Sequence, residues 1–147
     1  MNFKVPLSMV ISLIAFFSMV TPADVVADDK YQKMINCDLH KSSCSQTLSE
    51  NTVTLEVTPR PVKAMQDLSF KISLTANLPS GTKPPYIDLG MPGMKMGPNR
   101  VHLKSTGNNT YEGRGVIVKC PSGRRIWRAT VIIPGMGQTD FIFDVIY

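Results

Sequence analysis

Three methionines, Met91, Met94 and Met96, stand within six residues of one another between glycines and prolines. Glycine and proline at this density exclude a helix interior or a central strand, so the segment from Gly90 to His102 contains a loop. Thioether sulfur is a soft ligand that selects Cu(I). Methionine is also the flexible side chain that fills gaps in irregular apolar cores. The loop therefore has two interpretations, a Cu(I) site or an apolar plug at the open end of a core.

The cysteines, Cys37, Cys44 and Cys120, are the other soft ligands of the chain. In an oxidising compartment two of them should pair, which leaves the third free, bonded to another molecule or bound to a metal. Pairing of Cys37 with Cys44 is the simplest solution and leaves Cys120 as a lone thiol. A bond from the N-terminal arm to Cys120 would close a far larger loop and is the alternative. His40 lies between the first two cysteines at a spacing that could bind a metal, although an exported chain favours a disulfide there.

The N-terminal segment indicates export. Lys4 precedes an apolar run over residues 6–20, which is shorter than the about 20 residues that span a membrane. This pattern is typical of a secretory signal peptide. Small residues predict cleavage after Ala27, with a weaker site after Ala23, and an uncleaved anchor is the alternative. We therefore expect a periplasmic or secreted protein with no retained transmembrane helix.

Charge and motifs exclude two classes of function. The formal net charge is +5, and removal of residues 1–27, which contain one lysine and one aspartate, leaves it unchanged. The basic cluster of Arg124, Arg125 and Arg128 is typical of a solvent-facing strand and turn, so we do not predict nucleic-acid binding by an exported chain. The sequence contains no G-x-S-x-G, glycine-rich phosphate loop or H-E-x-x-H motif, so we do not predict an enzyme.

From Asn51 onward, apolar residues alternate with polar ones, which is the period of half-buried β-strands. Segments with this pattern lie at 53–57, 68–74, 87–89, 101–103, 111–118, 127–133 and 141–145. The pattern predicts an all-β, immunoglobulin-like antiparallel β-sandwich of about seven strands, with a small barrel as the alternative. Trp127 is predicted to lie in the core. The expected division of the chain is a signal peptide (1–27), an arm too sparsely apolar to form an element (28–50) and the sandwich domain (51–147).

Antiparallel order also predicts which connections meet, because successive connections then alternate between the two ends of the sandwich. The sulfur-bearing residues expected at one end are Met65, Met91, Met94, Met96 and Cys120. His102 alternates with Val101 and Leu103, which we expect to be buried, so its side chain should face outward. Gly113 and Gly115 indicate a bulge or a close backbone approach within their strand.

Five motifs together resemble a known kind of protein. They are Met94 to Gly97 (M-x-M-G), Asn99 to Leu103 (N-R-x-x-L), Tyr111 to Gly113 (Y-x-G), Cys120 to Gly123 (C-x-S-G) and Trp127 to Val131 (W-x-A-x-V). Over roughly residues 50–147 the chain resembles small exported domains of the YtkA-like and FixH-like kind. The resemblance implies an immunoglobulin-like sandwich outside the cytoplasm. It also implies a role in copper delivery or oxidase assembly, with a membrane or periplasmic protein as the partner that receives copper.

Two functional hypotheses follow. In the first, the chain handles copper and binds Cu(I) through Met91, Met94 and Met96, with Cys120 and His102 as further ligands. In the second, the chain is a protein-interaction module without a metal, and the methionine loop serves as a core plug or a contact surface. The positions of the sulfur atoms discriminate between them, because a metal requires sulfurs that converge at an exposed place.

Overall fold

A computed structural model describes residues 29–147, and the predicted signal peptide lies outside this range. Residues 29–32 are helical, and nine β-strands follow within the described range. The strands are β1 (Cys44–Leu48), β2 (Asn51–Thr58), β3 (Asp67–Leu74), β4 (Tyr86–Gly90), β5 (Arg100–His102), β6 (Lys104–Gly107), β7 (Thr110–Val116), β8 (Ile126–Ile133) and β9 (Gly137–Asp144). No helix between residues 29 and 147 is long and apolar enough to cross a membrane.

The strands form two antiparallel sheets, which pack face to face as a β-sandwich. One sheet has the order β1-β2-β3-β7-β6 and the other has the order β5-β4-β8-β9. Apart from β1, this is the arrangement of immunoglobulin domains, in which A, B, E and D form one sheet and C, F and G belong to the other. The predicted all-β, immunoglobulin-like sandwich is therefore confirmed, and the alternative of a closed barrel is wrong.

The structure has two more strands than the seven expected, and both lie at sheet edges. β1 comes from the arm, where the prediction of no element was wrong. It pairs with β2 through its backbone and has no fully buried residue, so alternation could not reveal it. The other extra strand arises because the chain changes sheets at the buried Leu103, which separates β5 from β6. All four residues of β6 are exposed, so this strand lacks an apolar face.

The inward-facing residues of both sheets form one core. Its largest fully buried side chains are Trp127, Phe70, Phe141 and Phe143. Burial of a large apolar side chain of this kind stabilises the fold by about 1.5–3 kcal/mol. The indole Nε1–H of Trp127 donates to the Tyr147 hydroxyl oxygen at 3.1 Å, so its polar atom is satisfied. The prediction that Trp127 is a core residue is confirmed.

The arm closes one side of the sandwich before it becomes β1. The backbone N–H of Asn36 donates to the Ile142 carbonyl at 3.1 Å, and the Ile142 N–H donates to the Asn36 side-chain oxygen at 2.8 Å. These bonds cover part of the free edge of β9, where another chain could otherwise add a strand. Leu39 is fully buried in the core.

The predicted disulfide between Cys37 and Cys44 is confirmed. It closes a short loop that contains His40, whose Nδ1 accepts the Val62 N–H at 3.1 Å. Because both cysteines are oxidised and this imidazole nitrogen is engaged, the three residues do not form a metal site. Within the same loop the Lys41 ammonium donates to Asp38 and lowers the pKa of that carboxyl.

Gly113 lies where the chain crosses from one sheet to the other. A Cβ atom on Gly113 would stand 2.2 Å from the His102 carbonyl oxygen, and one on Gly115 would stand 2.6 Å from a Val101 methyl carbon. Both distances are far below van der Waals contact. The expected close backbone approach is confirmed, and glycine is required because any side chain would push β5 away from β7.

We expect Gly113→Ala to lower the free energy of unfolding by about 2–3 kcal/mol, because the rigid backbone of His102 cannot move aside without disrupting the sheet crossing. Urea denaturation followed by tryptophan fluorescence measures this. Gly90→Ala is the matched control, since it also lies in a strand but has nothing within 4 Å of its added Cβ. Equal stability of the two variants would contradict the close approach.

Candidate functional site

Three connections meet at one end of the sandwich, which we call the loop end. The connection between β2 and β3 contacts the segment after β7, where the Met65 N–H donates to the Ile117 carbonyl at 2.8 Å. The turn before β8 contacts the methionine loop, where the Arg124 guanidinium donates to the Pro92 carbonyl at 2.7 Å. The expectation that the connections carrying Met65, the methionine loop and Cys120 share one end is confirmed.

The methionine loop is held in a defined shape. The Met94 N–H donates to the Met91 carbonyl at 3.1 Å and closes a tight turn in which Gly93 has φ of +70°. Tyr31 covers this turn so closely that a Cβ on Gly93 would stand 2.1 Å from its hydroxyl oxygen. The Arg124 guanidinium carbon lies 4.1 Å from the centre of the Tyr31 ring, a cation–π contact. Arg124 and Tyr31 together clamp the loop against the sandwich.

Met91 lies on the inner side of its sheet. Its side chain is fully buried and belongs to the core, continuing the inward alternation of Ile87 and Leu89 along β4. This methionine fills the end of the core, as the plug interpretation predicts. Its sulfur has no access to solvent, so Met91 is not positioned with the exposed ligands that the metal hypothesis requires.

Met94 and Met96 occupy a different position. Both side chains are half-buried, and both line a cleft of about 240 Å³ on the outer side of the four-stranded sheet. The side chains that line it include Asp88, Met94, Lys95, Met96, Arg128 and Thr130. The tight turn between Met91 and Met94 therefore separates the three methionines into one core residue and two cleft residues.

The cleft carries more positive than negative charge. Lys95 and Arg128 line it, and neither forms a salt bridge with any residue in the range 29–147. The Nε atom of Arg128 is buried without a hydrogen-bond partner among the described residues. Among the described residues, Asp88 is the one carboxylate lining the cleft, and within this range it accepts only a long hydrogen bond of 3.4 Å from the Asn99 N–H. The cleft thus combines two thioethers with two unpaired cations and one carboxylate.

Cys120 and His102, the other predicted ligands, do not line this cleft. Cys120 is free and buried in the turn before β8, with its Sγ 3.0 Å from the Ser122 hydroxyl. His102 is exposed on β5, facing outward as predicted. Of the five predicted ligands, the structure therefore brings only Met94 and Met96 into one cleft. In the described part of the chain, no three or more His, Cys, Asp or Glu side chains are grouped so that they could hold a metal.

Arg124 and Arg128 have different roles in the structure, and the sequence pattern did not distinguish them. The sequence pattern predicts a solvated face for the basic cluster, whereas Arg124 clamps the methionine loop and Arg128 lines the cleft. The position of Arg128 could have been found, because it alternates with the buried Trp127 and Ala129 and must face outward from β8. The contact of Arg124 with Tyr31 joins distant segments, and no local pattern reveals it.

Comparison with known proteins adds no assignment. No protein-family model, curated protein or solved structure matches this chain. The resemblance to YtkA-like and FixH-like domains rests on the five motifs described above, and it stays a prediction. The fold and the cleft are therefore the observations from which function must be inferred.

We expect one thiol per chain when the unfolded, unreduced protein is titrated with Ellman's reagent, and that thiol belongs to Cys120. In the folded protein the same thiol should react more than about tenfold more slowly, because Cys120 is buried. Cys120→Ser supplies the control and should give no reaction. A fast reaction in the folded state, or no thiol after unfolding, would contradict this placement of Cys120.

Proposed function

We propose that this chain is an exported accessory protein that binds Cu(I) between Met94 and Met96 and passes it to a membrane or periplasmic partner. The observation that carries the proposal is that these two methionines line the same open cleft. Thioethers are neutral, soft donors, which favour Cu(I) over harder ions. In this proposal copper is the cargo, so a site with few protein ligands suits uptake and release.

The order of the loop supports a binding role. Met91 anchors one side of the tight turn in the core, while Arg124 and Tyr31 hold the other side. The two cleft methionines are thus positioned before any ligand arrives, and little conformational entropy is lost on binding. Met94 and Met96 also pack partly against the core, which limits their movement at the cleft.

The positive charge of Lys95 and Arg128 opposes the binding of Cu(I), which is itself a cation. A unit charge 4 Å from another interacts by roughly 1 kcal/mol in water and roughly 4 kcal/mol near a protein surface. Lys95 and Arg128 therefore weaken the binding of Cu(I), and Asp88 offsets part of this effect. The soft sulfur–copper bonds have to exceed the remaining repulsion.

We expect the protein to bind one Cu(I) per chain in an anaerobic competition titration against a chromophoric Cu(I) chelator. Met94→Leu combined with Met96→Leu should lower the affinity by about 100-fold or more, since leucine keeps the apolar volume but removes both sulfurs. Met136→Leu is the matched control, because Met136 is also half-buried but lies outside the cleft.

Single variants of the other predicted ligands extend this experiment. Met91→Leu, Cys120→Ser and His102→Asn should leave the Cu(I) affinity within about threefold of that of the unchanged protein, because none of these side chains lines the cleft. Unchanged affinity in the Met94→Leu, Met96→Leu double variant would remove the loop from any role in copper binding.

The second candidate function is a protein-interaction module without a metal. The two unpaired cations favour it, because Lys95 and Arg128 beside thioether walls would suit a partner segment that alternates acidic and apolar side chains. Met94 and Met96 would then provide adaptable apolar contact rather than metal ligands.

Arg128→Gln discriminates between the two functions because it changes them in opposite directions. If the cleft binds Cu(I), loss of this positive charge should raise the Cu(I) affinity several-fold in the same competition titration. If the cleft binds an acidic segment, a soluble peptide of alternating glutamate and leucine should bind the unchanged protein in a salt-dependent manner and not bind the variant. A protein that binds neither Cu(I) nor the peptide would contradict both proposals for this cleft.

A further inference from the structure

Large apolar side chains are exposed at the loop end, apart from the cleft. Met65 is 70% exposed, Val118 is 43% exposed and Ile146 is exposed as well. Met34 is the other exposed large apolar residue among those the structure describes. Apolar residues that are exposed singly need no explanation, whereas apolar residues that adjoin one another mark interaction surfaces.

Met65, Val118 and Ile146 lie on three neighbouring chain segments, and we call them the apolar tip. The Met65 N–H donates to the carbonyl of Ile117, the residue before Val118, at 2.8 Å. On the other side, the Ala64 N–H donates to the Ile146 carbonyl at 2.9 Å. The segment that carries Met65 therefore runs between the segments that carry Val118 and Ile146, so the three exposed residues belong to one surface.

Met65 is the most exposed residue of the apolar tip, and its backbone conformation is unusual for methionine. Its φ is +57°, in the left-handed region that glycine and asparagine adopt more easily than methionine. A residue selected only for this turn would be small or polar. An exposed methionine at such a position gains nothing from the fold, since most of its side chain is in solvent. Its apolar side chain is instead available for contact with another surface.

Lysines accompany the apolar tip. Lys63 pairs with Ile146 in a parallel bridge, and the Lys119 ammonium lies 5.8 Å from the centre of the Tyr147 ring. Both lysines are exposed, and neither forms a salt bridge within residues 29–147. Two acidic residues lie two positions from tip residues, and each has a cation beside it. Asp67 lines a small cleft together with Arg114, and the Asp144 carboxylate lies 3.7 Å from the Arg125 guanidinium. The surface around the tip is therefore basic.

We propose that the apolar tip docks reversibly onto the surface of an anionic lipid bilayer. Side chains from three residues cover too little area for a stable protein interface, which buries roughly 800 Å² on each partner. Apolar side chains that enter the lipid interface, with lysines beside anionic headgroups, form a recognised mode of weak membrane attachment. The tip and the metal cleft use different residues, so either proposal can fail alone.

Cosedimentation of the exported protein with vesicles tests this proposal. We expect binding to vesicles of phosphatidylcholine mixed with phosphatidylglycerol, weaker binding to phosphatidylcholine alone, and loss of binding as salt is added. Met65→Ser combined with Val118→Ser should reduce the partition coefficient at least about fivefold, because the apolar contribution is removed. Met34→Ser is the matched control and should bind like the unchanged protein.

Met65→Trp gives a second measurement that does not require loss of binding. The single natural tryptophan, Trp127, is fully buried, so a change in fluorescence on vesicle addition reports residue 65. We expect a blue shift of its emission and quenching by brominated lipids. No vesicle binding by the unchanged protein, equal binding of the double serine variant, or an unshifted Met65→Trp spectrum in bound protein would each overturn the proposal. Concentration-dependent self-association that the double variant abolishes would instead assign the tip to a second copy of the chain.

Discussion

Burial of alternate side chains between two antiparallel sheets is the constraint on which the other features of this structure depend. It places Trp127 and three phenylalanines in one core and turns intervening side chains of the same strands to the outer faces. Because side chains alternate strictly along a strand, Arg128 must point away from the core that its neighbour Trp127 occupies. Packing of Trp127 on the inner face thus places Arg128 on the outer face, where it lines the cleft.

The loop end is organised around the Tyr147 hydroxyl and the Arg124 guanidinium. The hydroxyl accepts from the Trp127 indole and from the Cys120 backbone, and it donates to the Arg124 carbonyl. The Arg124 side chain then contacts the methionine loop and Tyr31. Core, turn, loop and arm are therefore connected through these hydrogen bonds and the cation–π contact, which hold a glycine-rich and proline-rich loop in one conformation.

The methionine loop serves both of the roles that its sequence suggested, but with different residues. Met91 completes the core, and the turn that follows carries Met94 and Met96 to the outer face of the sheet. Methionines that are close together in the sequence therefore do not have to lie together in the structure. Strand alternation controls the first methionine, whereas the glycine in the left-handed conformation redirects the next two.

The sequence left two cysteine pairings open, and the structure shows Cys37 bonded to Cys44. The sequence by itself determined the all-β sandwich, the core position of Trp127 and the meeting of three connections at one end. These follow from alternation and chain order, which are local properties. It did not reveal β1 and β6, because these edge strands form through backbone pairing and contain no fully buried residue. Tertiary structure alone decided that Cys120 and His102 stand apart from the cleft and that Lys95 and Arg128 line it without carboxylate partners. The physical reason is that such neighbours come from segments distant in the chain, so only the packing of the two sheets and their loops brings them together or keeps them apart.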